Sequence, residues 1–299
     1  MIRYSNDVLR IASYNVNGIR ATLKRGFEPW LSERGLDVLG LQEVRCRPAD
    51  LPARCFGPYW TVYNPGQLAG RNGVAICTKT PVAEIRSWGD VIGFDPDGFP
   101  LDVTPASTDC PVEALGDYLN EGRYLEVDLA DVPVTVGCLY LPKGATLDDD
   151  EAKYRRKQDF MAGLATYLDM CVAQAKTTGR EFVIMGDFNI AHTNNDLKNW
   201  KSNQKSEGFL PEERAWFTQV LSTGELVDVL RTQYPDQPGP YSWWSWRGQA
   251  FVNDAGWRID YQLSTPKLAE AATTAVIDRE LDYPSRRSDH AALVIDYNI

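Results

Sequence analysis

A carboxylate at the end of an apolar segment is the first feature of this sequence that could do chemistry. The five residues Phe182–Gly186 are apolar or glycine, and Asp187 and Asn189 follow them. Such a run predicts a strand covered on both faces, so that Asp187 stands where the strand leaves the core. Side chains alternate along a strand, so Asp187 and Asn189 should point the same way. This pair suits metal binding or the activation of water, and an Asx turn that closes the strand is the alternative.

Several other predicted strands also end in polar groups of this kind. Leu9–Asn15 alternates and ends before a turn, Leu36–Leu41 is followed by Glu43, and Val134–Tyr140 ends in a tyrosine. Both halves of the chain contribute such ends, which predicts two packed sheets that share one cleft at a rim. The polar groups of this rim are Asn15, Glu43, Tyr140, Asp187, Asn189, Asp260, Asp289 and His290.

The remaining elements must hold these groups in place. Apolar residues at helical spacing predict a long helix over Glu151–Lys176 and a second one that begins at Pro211 and ends near Gly224. Gly, Pro and Asp interrupt every pattern between Ser87 and Gly122, which indicates a long surface excursion. We therefore predict an α/β fold of mixed sheets with helices outside. Further strands are predicted at Gly73–Thr78, Tyr124–Leu129, Tyr241–Trp246, Trp257–Leu263 and Asp289–Ile295, and a helix over Phe27–Leu31 that stops at Gly35.

Length and composition indicate one globular domain. The 299 residues are 43% hydrophobic and contain no linker-like segment or tandem repeat, so a single domain over residues 1–299 is expected. The segment Met1–Asp7 begins no signal peptide, and no run approaches the roughly 18 apolar residues of a membrane span. Six cysteines without CxxC spacing indicate free thiols, and hence a cytoplasmic protein.

The formal net charge of −10 argues weakly against a nucleic-acid partner. Eight acids and one base lie between Arg86 and Gly122, so this segment carries −7 and leaves −3 for the rest of the chain. Part of that remainder belongs to the candidate metal ligands. Net charge therefore does not exclude a polyanionic substrate.

The rim residues indicate a hard divalent cation and phosphate-ester chemistry. Glu43 and Asp289 are oxygen ligands of the kind that Mg²⁺ or Mn²⁺ prefers, usually with substrate phosphate oxygens beside them. The sequence has no HExxH, no paired Cys/His set and no GxxxxGK[ST], which disfavours a zinc site and a nucleotide P-loop. His290, one of two histidines, could hold a positive charge beside carboxylates and face a phosphoryl oxygen, or be a surface residue at a strand start.

Eight stretches of the sequence, in order, carry a resemblance to a known family. They are Ser13–Arg20, Leu41–Val44, Gly70–Ala75, Tyr140–Gly144, Gly186–Ile190, Gly208–Arg214, Gly256–Tyr261 and Ser288–His290. Together they resemble the exonuclease III class of apurinic/apyrimidinic endonucleases, within the wider endonuclease/exonuclease/phosphatase superfamily. The Gly-Asp-x-Asn and Ser-Asp-His pieces mark the superfamily only, whereas 208–214 and 256–261 are far more specific to the DNA-repair branch.

The resemblance implies a four-layer α/β sandwich and a Mg²⁺-dependent cut of duplex DNA 5′ to an abasic site, by an enzyme expected to act as a monomer. The balance with 3′-5′ exonuclease and 3′-end-trimming activity stays open, as does the number of metals. The implied catalytic residues are Tyr140, Asp187, Asn189, Asp260 and His290. The implied metal ligands are Asn15, Glu43, Asp187, Asn189, Asp289 and His290, with Glu43 the main one. The implied substrate contacts are Arg71, Lys143, Trp243, Trp257 and Ile259.

Three details of the resemblance bear on the site. Asn17 stands where some relatives have an acid, which would remove a ligand. Lys143 stands where an Asn or Gln is often found, which would add a phosphate contact or change the preference for 3′-end work. Trp243, Trp257 and Ile259 would surround an extruded abasic sugar, although alternation places Asp260 on the face opposite Trp257 and Ile259. Core packing is the alternative for the tryptophans. Two other functions remain: a superfamily hydrolase of a phosphorylated small molecule or lipid, and an inactive DNA-binding relative.

Overall fold

A computed structural model describes residues 8–68 and 70–299 of the chain; the expectation about a signal peptide falls on residues 1–7 and lies outside them. Within the described residues, fourteen strands form two sheets. The eight-stranded sheet has the order β13-β14-β1-β2-β4-β3-β6-β7. Its strands are β1 (Val8–Asn15), β2 (Val38–Gln42), β3 (Trp60–Asn64), β4 (Val74–Thr78), β6 (Ile92–Phe94), β7 (Pro100–Leu101), β13 (Ala272–Asp278) and β14 (Ala292–Asn298).

The second sheet has six strands in the order β11-β12-β10-β9-β8-β5. Its strands are β5 (Val82–Ser87), β8 (Tyr124–Leu129), β9 (Val134–Tyr140), β10 (Glu181–Asp187), β11 (Val227–Asp228) and β12 (Asp260–Ser264). The α-helices are α1 (Ile19–Lys24), α2 (Phe27–Arg34), α3 (Glu151–Thr178), α4 (Pro211–Ser222), α5 (Val229–Gln233) and α6 (Pro266–Glu270). Short 3₁₀ turns cover Pro48–Asp50, Glu113–Tyr118 and Asn194–Asp196.

The two sheets pack face to face and helices cover their outer faces, which confirms the four-layer α/β sandwich. Residues of both sheets, such as Ile11 and Val183, share one apolar core. A second core joins the six-stranded sheet to α3 and α4, and a third joins the eight-stranded sheet to α1 and α2. None of the helices in the described part is long and apolar enough to cross a bilayer. All six cysteines are free, as predicted, and all six are buried.

Strand register brings the ends of several strands to one rim. In the six-stranded sheet, Asp187 of β10 pairs with Tyr140 of the parallel β9 and with Asp260 of the antiparallel β12. Gly186 has φ 151°, and a Cβ there would lie 1.9 Å from the carbonyl oxygen of Leu139. Only glycine therefore fits directly before Asp187, because any side chain would collide with the neighbouring strand.

The structure corrects two sequence predictions. Residues 241–246 form no strand; Trp243 makes only isolated bridges to Trp257 and His290, because this segment crosses the rim instead of extending a sheet. The 87–122 segment is more than a surface excursion, because it contains β6, β7 and a 3₁₀ turn and buries Trp88 and Leu115 in the core beside α3. Most of its acids remain exposed, which preserves the charge argument.

Candidate active site

A cavity of about 380 Å³ opens at the rim where the strand ends meet. Most of the predicted site residues line it. Three do not: Asn15 and Asp260 are buried directly behind it, and Arg71 lies outside it. Its walls are Asn17, Glu43, Arg45, Tyr140, Lys143, Asp187, Asn189, Asn203, Ser206, Glu207, Gly208, Trp243, Trp257, Ile259, Asp289 and His290.

The side-chain amide of Asn15 holds two carboxylates together. Its Nδ2 donates to Glu43 Oε1 at 2.8 Å and to Asp187 Oδ2 at 2.9 Å. Asn15 ends β1 in one sheet, whereas Asp187 ends β10 in the other. This amide therefore links the two sheets and offsets part of the repulsion between the carboxylates. Asn15 Oδ1 already accepts the amide of Asn17 at 3.0 Å, so as a metal ligand this oxygen would be shared.

Asp187 and Asn189 both face the cavity, and the turn between them is also an Asx turn. The backbone N–H of Asn189 donates to Asp187 Oδ1 at 2.9 Å, while its side chain donates to the carbonyl of Leu141 at 2.9 Å. Asn189 has a left-handed backbone conformation with φ 50°, and Glu43 and Arg45 have the same conformation with φ 52°. Left-handed backbone at residues with a Cβ is strained and tends to collect at functional sites, where the surrounding structure imposes it.

His290 is fixed from behind by Asp260. Its Nδ1 lies 2.8 Å from Asp260 Oδ2, so its Nε2 faces the cavity and lies 3.7 Å from Asp187 Oδ2. Ser288 Oγ accepts the backbone N–H of His290 at 3.3 Å and donates to the carbonyl of Asn15 at 2.8 Å. The imidazole is thus oriented by partners from both sheets.

Burial and neighbouring charges shift the pKa values of this pair. Burial alone would lower the pKa of His290, but the charges of Asp260 and Asp187 outweigh it and raise the pKa to about 10. Burial raises the pKa of Asp187 to about 7, and the positive charge of His290 offsets this only in part. His290 is therefore an imidazolium at neutral pH, and Asp187 can exchange a proton there.

Tyr140 stands beside the two carboxylates. Burial, followed by the charges of Glu43 and Asp187, raises the pKa of its phenol well above the usual value. The phenol therefore keeps its proton near neutral pH and can donate a hydrogen bond to a phosphate or leaving-group oxygen.

Asp289 lies on the other side of the cavity and is already well bonded. Its Oδ1 accepts Asn17 Nδ2 at 2.8 Å and its Oδ2 accepts Trp243 Nε1 at 3.1 Å. Burial alone would raise the pKa of Asp289, but the charge of His290 and these two hydrogen bonds lower it. Asp289 is an ionised carboxylate that also anchors the indole of Trp243.

Trp243, Trp257 and Ile259 form an apolar wall beside the carboxylates. The two indoles meet edge to face, with centroids 6.2 Å apart. Trp243 is half-buried in the cavity and, like Trp257, packs against a small apolar cluster, whereas its neighbour Trp244 is buried in a separate core. Because β12 begins only at Asp260, the preceding backbone is irregular, and Trp257, Ile259 and Asp260 can all serve the same site.

The ligand atoms of Glu43, Asp187 and His290 all lie within 4.8 Å of one another. The two carboxylates can hold a metal ion, whereas His290 could do so only after losing the proton of its imidazolium. Two carboxylates at a polar cavity match the oxygen-rich sites of hard divalent cations. Asp289 lies on the same cavity but outside this group of three. The residues present therefore fit a divalent cation.

Two neighbours of the site, Arg45 and Asn17, were not among its predicted residues, although the resemblance had singled out Asn17. Arg45 forms an ion pair with Glu43 Oε2, so a cation bound by Glu43 would share that carboxylate with a guanidinium. Asn17 supports Asp289 by a hydrogen bond instead of supplying an acid. The sequence signal that could have identified them is their position: Asn17 lies two residues after Asn15, and Arg45 lies two residues after Glu43.

Of the predicted substrate contacts, Arg71 is the one the structure leaves outside the cavity. Its loop is pinned by backbone bonds from Val44 to Gly73 and from Arg45 to Asn72, so it supports the Glu43 segment while the Arg71 side chain stays exposed. Lys143 does line the cavity, with its Nζ 3.6 Å from Glu207 Oε1.

Comparison with known proteins identifies the family of the chain. The Endonuclease/Exonuclease/phosphatase family matches residues 12–290, so the chain belongs to that family. The DNA repair nuclease APEX1 of Danio rerio is 30% identical over 295 residues, which span 96% of this chain and 81% of that protein. An exodeoxyribonuclease of Bacillus subtilis (strain 168) is 29% identical over 294 residues, spanning 97% of this chain and 100% of the relative.

Solved structures of similar proteins share the fold. An AP endonuclease from Archaeoglobus fulgidus superposes with a TM-score of 0.75 at 27% identity, covering 97% of this chain and 100% of that one. A 3′ phosphatase from Neisseria, bound to a product DNA hairpin, superposes with a TM-score of 0.75 at 25% identity and the same coverage. Within its family, the chain is a hydrolase of the exonuclease III class of AP endonucleases, a DNA-repair nuclease.

Proposed function

We propose that this nuclease uses Mg²⁺ or Mn²⁺ to hydrolyse duplex DNA on the 5′ side of abasic sites, leaving a 3′-hydroxyl, and that it also trims 3′ ends. It acts as a monomer in the cytoplasm, with residues 1–299 as one catalytic domain. The observation that carries the proposal is the joint lining of one cavity by the carboxylate–imidazole group and by Trp243, Trp257 and Ile259.

The apolar wall supplies selectivity. Carboxylates and a cation would hydrolyse any phosphodiester placed before them, so discrimination depends on what the cavity can receive. An abasic nucleotide is the least costly to extrude from the stack, and its sugar is small enough for an apolar recess. The hydrogen bond from Trp243 to Asp289 fixes the position of this recess relative to the carboxylates.

Asp187 is the proposed general base. A pKa of about 7 suits a group that must accept a proton from water near neutral pH. Asn15 and Asn189 hold both oxygens of this carboxylate, so its orientation toward the attacking water is set before substrate arrives. Their roles are positional, and neither needs to change its protonation state.

His290 is the proposed electrostatic partner of the transition state. Its imidazolium, held by Asp260, offers Nε2–H to the phosphoryl oxygen on which negative charge develops, and such preorganised donors act strongly in a buried site. The protonated phenol of Tyr140 lies near the same carboxylates and supplies a further donor to the phosphate or the leaving oxygen.

Glu43 is the proposed principal metal ligand, with Asp187 and His290 close by and Asn15, Asn189 and Asp289 at the edge of the site. When bound, the cation polarises the phosphate and neutralises developing charge. Lys143, which is mostly exposed at the cavity, is proposed to contact a phosphate and to favour 3′-end work.

Two other activities compete with this proposal. A small-molecule or lipid phosphatase would have no use for a tryptophan-lined recess. The similar proteins named above are nucleases, apart from one 3′ phosphatase that is bound to DNA. An inactive DNA-binding relative would have no need for a group of buried carboxylates in which the pKa of Asp187 is raised.

The test uses 5′- and 3′-labelled duplexes that carry one abasic analogue, with Mg²⁺ and with EDTA. The proposal predicts one Mg²⁺-dependent cut 5′ to the analogue, a 3′-hydroxyl product and little cleavage of the intact duplex. Equal cleavage of intact and abasic duplexes would contradict it. Trp257→Ala, after circular dichroism has confirmed its fold, should lower the abasic-to-intact rate ratio, because the recess then admits ordinary nucleotides. An unchanged ratio would place the recess elsewhere.

A further inference from the structure

Three loops border the cavity without being joined to one another by sheet pairing. They are residues 141–144 after β9, residues 188–191 after β10 and residues 206–210 before α4. The catalytic geometry depends on all three, since they carry Lys143, Asn189 and the wall against Trp257.

A lysine inside the protein touches two of these loops. Lys157 of α3 is 1% exposed, and its Nζ donates to the carbonyl of Asn189 at 2.9 Å. Its aliphatic stem packs under Gly144, where an added Cβ would lie 2.6 Å from Lys157 Cδ. The side chain therefore supports the 141–144 loop and holds the backbone of Asn189 from the opposite side to Asp187.

The partner of this lysine controls the third loop. Glu213 is fully buried, and its Oε1 lies 2.6 Å from Lys157 Nζ. Its Oε2 accepts the backbone N–H of Leu210 at 3.0 Å, which caps α4. The carbonyl of Gly208 in this loop accepts the N–H of Ala191 at 2.7 Å, so the 206–210 and 188–191 loops are also joined directly.

A buried ion pair is not the expected choice for stability alone. Desolvation of two charges often cancels their attraction, and well-packed apolar residues of similar size are frequently as stable. What an apolar pair could not supply is the directed N–H bond to Asn189, a residue held at φ 50°. The pair therefore has a use that packing cannot replace.

We propose that Lys157 and Glu213 are positioning residues of the active site. Together they hold Asn189 in its left-handed conformation, so that its N–H fixes Asp187 Oδ1, and they keep the three loops in register around the substrate. The inference rests on the proposed function only for its kinetic readout; the effect on Asn189 is structural and can be measured without substrate.

The test replaces the pair by neutral residues of similar size, Lys157→Met with Glu213→Gln. We expect a folded protein whose melting temperature is close to that of the wild type. Hydrogen exchange at the backbone amide of Asn189 should be faster by about tenfold or more. On the abasic duplex, kcat should fall by at least about tenfold while KM stays within about threefold of the wild-type value. Lys157→Arg, which keeps a charged donor, should retain most of kcat.

The matched control is the ion pair of Arg86 with Glu126 at the far edge of the six-stranded sheet. Arg86→Met with Glu126→Gln should change neither the Asn189 exchange rate nor kcat. Wild-type exchange and kcat in the Lys157/Glu213 double variant would overturn the inference, and so would equal losses in the control. If the double variant does not fold, Lys157→Arg still tests the proposal. Hydrogen exchange at the Asn189 amide should be unaltered in Lys157→Arg, and faster exchange in this variant would count against the proposal. A wild type that does not cut the abasic duplex refutes the proposed function, while the exchange data still decide the positioning role.

Discussion

Arg258 and Asp260 are both fully buried and stand two residues apart, yet the first belongs to a cluster with equal numbers of cations and anions and the second to a cluster with an excess of anions. Arg258 joins Arg231 with Asp196 and Asp228, two cations with two anions. Asp260 joins the active site, where Glu43, Asp187 and Asp289 add to its charge, and His290 and Arg45 are the cations in contact with them. We call these the compensated cluster and the acidic cluster.

The pKa values show what this difference does. Although burial alone would raise the pKa of Asp196, the guanidinium of Arg258 outweighs it and holds the pKa well below its usual range. Asp187 is buried to the same degree, and its pKa is raised to about 7. Burial therefore makes a carboxylate structural when its charge is matched and reactive when it is not.

Asp187→Asn should produce the largest effect on turnover. General-base catalysis contributes roughly 10²–10⁴-fold, and an amide cannot accept the proton. DNA binding should be retained or tightened, because a negative charge beside phosphate is removed. Single-turnover rates and binding isotherms on the abasic duplex measure both. A variant that cuts at the wild-type rate would remove Asp187 from the mechanism.

Asp196→Asn should instead lower stability. Loss of one partner from a buried ion-pair network costs roughly 3–5 kcal/mol of unfolding free energy, because Arg258 and Arg231 are left undercompensated. Urea unfolding measures this change, with the exposed pair Lys176–Glu225 as a control whose loss should be small. If Asp187→Asn destabilised the protein as much as Asp196→Asn, the contrast between the two clusters would be wrong.

His290→Ala should slow the chemical step by roughly 10²–10³-fold, as expected for the loss of one preorganised donor. Asp260→Ala should cost less. If Asp260 acts only through the imidazole, the double variant should be no slower than His290→Ala. Rate losses that simply add would show that Asp260 has an independent role.

The smallest effect concerns the pH dependence of stability, which should have opposite signs in the two clusters. Asp196 has a lowered pKa in the folded state, so it contributes stability above its unfolded pKa of about 3.9, and this is lost as pH falls. Asp187 has a raised pKa, so its ionisation in the unfolded chain reduces stability as pH rises from about 4 toward 7. Unfolding free energies of wild type and each Asn variant from pH 3 to pH 7, in EDTA, measure the two slopes. Slopes of the same sign would contradict the comparison.

Part of this picture could be predicted from the sequence. The apolar run before Asp187 and the alternation before Asn15 identified strands and their polar ends, because burial leaves a local pattern. An exposed edge strand leaves little of such a pattern in the sequence. The strand Ala272–Asp278 is mostly solvent-facing, and the sequence predicts no strand there. Trp243 and Trp244 also look alike in the sequence, since only the irregular backbone of this segment decides which one reaches the cavity.

The pairs that join distant segments could not be predicted. Asn15 bridging Glu43 and Asp187 depends on the packing of two sheets, and Lys157 looks like a solvated residue of a basic helix face until α4 brings Glu213 beside it. Side chains that connect elements far apart in the chain leave no spacing signal. The prediction of a single domain, the monomeric state and the compartment remain predictions.

The central claim is that the acidic cluster is a metal-dependent catalytic centre anchored by Glu43. The most direct measurement is the single-turnover cleavage rate of the abasic duplex by wild type and Glu43→Ala across a Mg²⁺ titration and in EDTA, with circular dichroism and urea unfolding on both proteins. We expect wild-type cleavage that saturates with Mg²⁺ and vanishes in EDTA, and a folded Glu43→Ala protein with a severely reduced rate at every Mg²⁺ concentration. Equal rates for the two proteins at saturating Mg²⁺, or undiminished wild-type cleavage in EDTA, would contradict the account.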